Sequence, residues 1–65
     1  MTKASILRAV MNYSGANPIA LVSYERNKAY ITFEQELHGT EIDVLGLYAP
    51  LCRQVGSNTI EAEYW

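Results

Sequence analysis

The single histidine, His38, is the first residue of this 65-residue chain to consider as a catalytic group. A histidine that acts as a general base needs a partner to orient it and a pocket for the substrate. A hydrolase triad could in principle combine His38 with Asp43 and with one of three serines: Ser14, Ser23 or Ser57. No nucleophile motif such as G-x-S-x-G is present, so we predict that His38 is a turn residue and that the chain is not an enzyme.

Cys52 is the only cysteine, and it falls on an apolar stripe. A free cysteine in such a position is most often a small buried hydrophobe. A reactive thiol would need a nearby cation and partial exposure. Arg53 is adjacent in sequence but would point away from the thiol on a helix, so we predict a core role for Cys52.

Four acidic residues lie between Ala29 and Cys52, a stretch without Lys or Arg: Glu34, Glu36, Glu41 and Asp43. Carboxylates bind hard cations such as Ca²⁺ and Mg²⁺, but the spacing does not match an EF-hand loop. With one Cys and one His in the whole chain, we predict neither a metal site nor a cofactor. The acids instead predict an acidic side of the molecule, for which a solvated face is the commoner explanation. The alternative is that this side complements a basic protein surface, such as the groove of a nucleic-acid-binding protein.

The composition indicates one small domain, residues 1–65, that associates with a protein. Apolar residues make up 49% of the chain and charged residues only 18%, below the usual quarter. A chain of this length has a marginal core, and one cysteine allows no internal disulfide. We therefore predict a homodimer, or a chain that stays bound to a protein partner.

The net charge disfavours nucleic acid as a partner, and the short apolar runs disfavour a membrane. A net charge of −2 argues against nucleic acid, and no run approaches the ~20 apolar residues of a membrane span. No targeting segment is visible, and a lone cysteine fits a reducing compartment. The expected location is the cytoplasm.

The segment from Ile19 to Gln35 carries the clearest structural pattern. Two alternating runs, Ile19–Arg26 and Ala29–Gln35, flank the dipeptide Asn27–Lys28. This predicts a β-hairpin over about 19–35, with the dipeptide as a two-residue turn.

The predicted register sorts the hairpin into an inner and an outer face. Tyr24 faces Ile31, and Val22 faces Phe33, so that these four residues line the inner face. The outer face then carries Leu21, Ser23, Glu25, Tyr30, Thr32 and Glu34.

The N-terminal residues 3–13 fit two patterns. A helical stripe would contain Ile6, Leu7, Val10 and Met11, and an alternating strand would contain Leu7, Ala9, Met11 and Tyr13. Good helix formers dominate the segment, so we predict a helix. At the other end, the alternation of residues 58–65 predicts a strand.

Residues 40–55 also allow two interpretations. The first is a long helix, kinked by its proline, with an apolar stripe of Val44, Leu45, Tyr48, Leu51, Cys52 and Val55. The second is a third meander strand over Thr40–Leu47 and a short helix over Pro50–Val55. We predict the kinked helix, because the strand would place Glu36 opposite Glu41.

These elements predict a small α+β domain with a central antiparallel hairpin, a C-terminal strand and one or two helices. The alternative is a five-stranded SH3-like barrel with a short helix. The predicted function is a non-enzymatic interaction or regulatory module that binds a protein partner or itself. Its size fits an inhibitor or accessory factor of a phage or mobile element.

The alternative function is single-stranded nucleic-acid binding through exposed aromatic side chains such as Tyr30 and Trp65. The candidate partner-binding residues are Leu21, Glu25, Tyr30, Thr32, Glu34, Glu36, Glu41, Asp43 and Trp65.

Overall fold

Two helices and four strands form an open α+β structure in the computed structural model, which describes residues 1–65. The elements are α1 (Lys3–Asn12), β1 (Ile19–Glu25), β2 (Lys28–Phe33), α2 (Glu41–Leu45), a 3₁₀ turn (Ala49–Leu51), β3 (Cys52–Gln54) and β4 (Thr59–Glu63). The sheet is antiparallel in the order β1-β2-β4-β3 and does not close. The α+β prediction is confirmed, and the barrel alternative is not adopted. None of the helices has the length and apolar character needed to cross a membrane.

The core lies on one side of the sheet, between the inner strand faces and the two helices. β2 contributes Ala29, Ile31 and Phe33, each at most 1% exposed. The other buried apolar residues are Ile6 from α1, Leu45 from α2, Leu47, and Ile60 and Ala62 from β4. Val22 and Tyr24 of β1 pack against this cluster and are half-buried, so the predicted inner face of the hairpin is confirmed.

The N-terminal segment is a helix, as predicted. Its start is fixed by a capping box, in which the Ser5 N–H donates to Thr2 Oγ1 and the Thr2 N–H donates to Ser5 Oγ, both at 3.1 Å. After the helix, the Tyr13 ring packs edge-on against Phe33 with centroids 5.7 Å apart. Gly15 leaves room for that ring, since a Cβ atom there would clash with the Tyr13 side chain.

The predicted hairpin is confirmed, but its turn lies one residue earlier than predicted. Arg26 and Asn27 form the turn, and Glu25 pairs with Lys28. The predicted turn at Asn27–Lys28 is therefore wrong. Asn27 takes a left-handed backbone conformation (φ 57°), which asparagine tolerates better than most residues. From Leu21 to Glu25 each partner shifts by two residues, and because side chains alternate with period two, these residues keep their predicted face. A β-bulge changes the register between Ile19 and Leu21, and Glu34, predicted on the outer face, lies beyond the end of β2.

Residues 40–55 form neither the long helix nor the meander strand. α2 ends at Leu45 because Gly46 takes a left-handed conformation (φ 74°) and its N–H donates to the Asp43 carbonyl. Pro50 then lies in the 3₁₀ turn, and the next residues form β3. Three members of the predicted apolar stripe are exposed as a result: Val44, Tyr48 and Val55.

Phe33→Ala should lower the free energy of unfolding by about 3–5 kcal/mol, because the substitution leaves a cavity beside Tyr13 and the core. Urea denaturation measures the change. Leu21→Ala is the matched control, since Leu21 is 60% exposed and should change stability by less than about 0.5 kcal/mol. Equal melting of the Phe33 variant and the wild type would show that the inner face is wrongly assigned.

Tyr24→Phe should keep or raise the free energy of unfolding, whereas Tyr64→Phe should lower it by about 0.5–1.5 kcal/mol. The two rings pack edge to face at 5.9 Å, but their hydroxyls differ. Tyr64 Oη donates to the Glu25 carbonyl at 2.6 Å, while Tyr24 Oη is buried without a partner. Denaturation of both variants checks this, and a Tyr24 variant that is the less stable of the two would contradict it.

Candidate functional site

The sheet face opposite the core has no helix over it, and we call it the outer face. Alternation along the strands assigns it three residues of β1, three of β2, one of β3 and three of β4. They are Leu21, Ser23, Glu25, Lys28, Tyr30, Thr32, Arg53, Thr59, Glu61 and Glu63. The four predicted hairpin residues Leu21, Glu25, Tyr30 and Thr32 therefore lie together on one surface.

The centre of the outer face is a buried carboxylate. The Glu61 side chain is only 8% exposed, although no second layer covers this face. The strand register places Tyr30 and Arg53 on either side of it. Arg53 Nε donates to Glu61 Oε1 at 3.0 Å, and Lys28 Nζ lies 3.4 Å from the same oxygen. Two cations thus converge on one carboxylate.

This arrangement fixes the protonation of the groups involved. The Arg53 hydrogen bond, followed by the charges of Arg53 and Lys28, lowers the pKa of Glu61 despite desolvation. Desolvation and the neighbouring Glu61 charge raise the pKa of Tyr30. At neutral pH the face therefore presents a carboxylate held by two cations, beside a protonated phenol that can donate a hydrogen bond.

An open groove of about 280 Å³ lies between β4, β3 and the 3₁₀ turn. Its lining is Lys28, Pro50, Leu51, Cys52, Arg53, Glu61 and Glu63. The only thiol there, Cys52, packs against the core as predicted, although on a strand rather than a helix. Burial raises the pKa of Cys52, so the thiol stays protonated at neutral pH and is a poor nucleophile.

Glu41 belongs to the predicted acidic side but folds back on its own turn. Its carboxylate accepts hydrogen bonds from the His38 N–H at 2.9 and 3.0 Å and from the Thr40 N–H at 3.1 Å. The residue is 4% exposed, and the backbone hydrogen bonds, that from His38 first, lower the pKa of Glu41. Glu41 therefore holds the turn before α2. His38 contributes its backbone to this turn, and its exposed ring makes no hydrogen bond to a serine or to Asp43.

The remaining candidate residues are exposed but lie apart from the outer-face rows. Glu34 and Glu36 follow β2, Asp43 lies on α2, and Trp65, 76% exposed, ends the chain. The Trp65 N–H donates to the Met1 carbonyl, which ties the two chain ends together. No three His, Cys, Asp or Glu side chains lie close enough together to hold a metal ion.

The sequence did not predict that Lys28 and Arg53 converge on Glu61. Their partnership requires β2 and β3 to flank β4, and no local pattern shows this order. The alternation Ile60–Glu63 was the only available signal. It places Glu61 on the face opposite Ile60, but it does not name the cations.

Stability should fall as the pH drops below about 4.5, the ordinary pKa of a glutamate, and Glu61→Gln should weaken this dependence. A carboxylate whose pKa is lowered by folding stabilises the protein above its unfolded pKa. That stability disappears as the pH falls through the folded pKa. Denaturation midpoints across this pH range test the expectation, with Glu63→Gln, an exposed acid on the same strand, as the control. Identical pH profiles for the Glu61 variant and the wild type would contradict it.

Comparison with known protein families, curated proteins and solved structures gives no match for this chain.

Proposed function

We propose that this chain is a non-enzymatic interaction module that regulates a protein by binding it through the outer face. The supporting observation is a sheet face without a covering layer, whose charged centre is already paired. Because Arg53 and Lys28 pair with Glu61 within the chain, a partner can cover the Glu61 carboxylate without leaving that charge unpaired. Leu21, 60% exposed, and the half-exposed Tyr30 supply apolar and aromatic contact area beside it.

The charge balance of the outer face favours a protein over a nucleic acid. Two cations, Lys28 and Arg53, stand against three carboxylates, Glu25, Glu61 and Glu63, and both cations contact Glu61. Nucleic-acid surfaces need free cations to replace the counterions of the phosphates. Single-strand binding through aromatic side chains is therefore the second candidate, favoured only by the exposure of Tyr30 and Trp65.

A catalytic role has little support from the side chains that could carry it. The His38 ring is exposed and unpaired, and the Cys52 thiol stays protonated. We place the module in a reducing compartment such as the cytoplasm, where a lone thiol is stable. Within this class we favour a small inhibitor or accessory factor, of the kind that phages and mobile elements use, acting on another protein or on a second copy of itself.

A double variant, Leu21→Ser with Tyr30→Ser, should lose partner binding while the fold persists. The tagged chain captures the partner, which is then identified, purified and titrated by calorimetry against each variant. We expect the dissociation constant to rise by about tenfold or more, since exposed aromatic anchors dominate such surfaces. The matched control is Leu7→Ser with Met11→Ser, two exposed apolar residues on α1. Loss of binding in the control alone would contradict the proposal.

Titration with a single-stranded oligonucleotide separates the two functions. Binding that falls steeply between about 50 and 200 mM salt, and that Tyr30→Ser abolishes, would establish the nucleic-acid alternative. Absence of binding at the lower salt concentration would support the protein-binding proposal.

A further inference from the structure

β1 is an edge strand whose outward backbone groups have no partner. The Phe33 N–H of β2 donates to the Asn58 carbonyl, and the carbonyl of Asn27, just before β2, accepts from the Tyr64 N–H. With the register between β2 and β4, these two bonds show that the odd-numbered residues of β2 bond towards β4. Antiparallel strands alternate the direction of their backbone groups. The even-numbered residues of β2 therefore bond β1, at Leu21, Ser23 and Glu25.

The same alternation turns the N–H and C=O groups of Val22 and Tyr24 away from β2. No turn or loop hydrogen bond involves these groups. The free edge consequently offers a row of donors and acceptors to another strand.

The two edges of the sheet differ in how they resist such pairing. β3 is three residues long, and the 3₁₀ turn with Pro50 leads into it. β1 has seven residues, about 24 Å of strand, and contains no Pro, Lys or Arg. Its single charge, Glu25, lies at one end. Short strands, prolines, lysines and bulges are the usual protection of an edge. β1 has only a bulge, between Ile19 and Leu21, which leaves Leu21–Glu25 as a regular free edge.

We infer that β1 binds β1 of a second copy, antiparallel across a twofold axis, to form an eight-stranded sheet. This inference rests on the proposed function, in which the chain acts by binding a protein, and names a second copy as one partner. A twofold axis at Ser23, the centre of the regular edge Leu21–Glu25, places Val22 beside Tyr24 of the second copy and Leu21 beside its Glu25. No like charges oppose one another in this register. The exposed Leu21 gains a neighbour on the outer face.

A second copy suits this edge because the monomer has few other means of stabilisation. Its core contains eight buried apolar residues, with a single free cysteine and no metal cluster. Chains of this size usually need disulfides, metals or association. An isologous strand pair also satisfies the edges of both copies at once, whereas a foreign peptide would satisfy only one.

Amide hydrogen exchange, run beside sedimentation, tests this interface on the full chain. At concentrations that give a dimer, the amides of Val22 and Tyr24 should exchange slowly, and dilution to the monomer should release them. The amides of Leu21 and Ser23, which bond β2, should stay protected throughout. A monomer at about 1 mM, or a dimer in which Val22 and Tyr24 still exchange freely, would overturn the inference. Neither result would affect capture of another protein through the outer face.

Ser23→Lys should raise the dimer dissociation constant by about tenfold or more, because it places two lysines near the twofold axis. Ser23 is exposed, so the fold should tolerate the change. Ala4→Lys adds the same charge at an exposed position on α1 and should leave dimerisation unchanged. Equal dissociation constants for both variants would place the interface away from β1.

Discussion

The structure depends on β2, which is hydrogen-bonded on both sides and buries every second side chain. Ala29, Ile31 and Phe33 are almost fully excluded from water, and they meet both helices and β4. A slip by one residue would exchange this apolar row for Lys28, Tyr30 and Thr32, so the register of the whole sheet follows from it. The same constraint produces the outer face, because burying one side of β2 necessarily displays the other.

Two asparagine side chains hold the backbone at and beyond the end of β2 by hydrogen bonds. Asn58 Nδ2 donates to the Phe33 carbonyl at 3.0 Å. The buried Asn17 side chain donates to the carbonyls of Gln35 and Glu36, and it accepts from the Gln35 N–H. These bonds satisfy backbone groups that would otherwise be unpaired, and they fix where the chain leaves the sheet. The turn around Glu41 and α2 starts from that fixed exit.

Local patterns in the sequence predicted the faces of the hairpin and the helix at residues 3–12, because each depends on spacing within one element. The faces survived an incorrect turn, since a shift of two residues preserves alternation. The predicted long helix over residues 40–55 was wrong for a different reason. The apolar helical spacing continues past Gly46, but the glycine cap ends the helix there and the proline prevents it from continuing. The Glu61 cluster could not be predicted, because its cations come from strands brought together only by the sheet order.

The outer face and the β1 edge, which are the two proposed binding surfaces, share residues. Leu21 and Ser23 lie on the outer face and also on the edge strand. Backbone pairing at an edge supplies affinity with little selectivity, whereas side chains on a face select the partner. Pairing through β1 would continue the outer face across the twofold axis, and each dimer would present two copies of Tyr30 on one surface. A partner with a repeated or symmetric surface would then bind both copies, with the second contact strengthened by the effective concentration that the first creates.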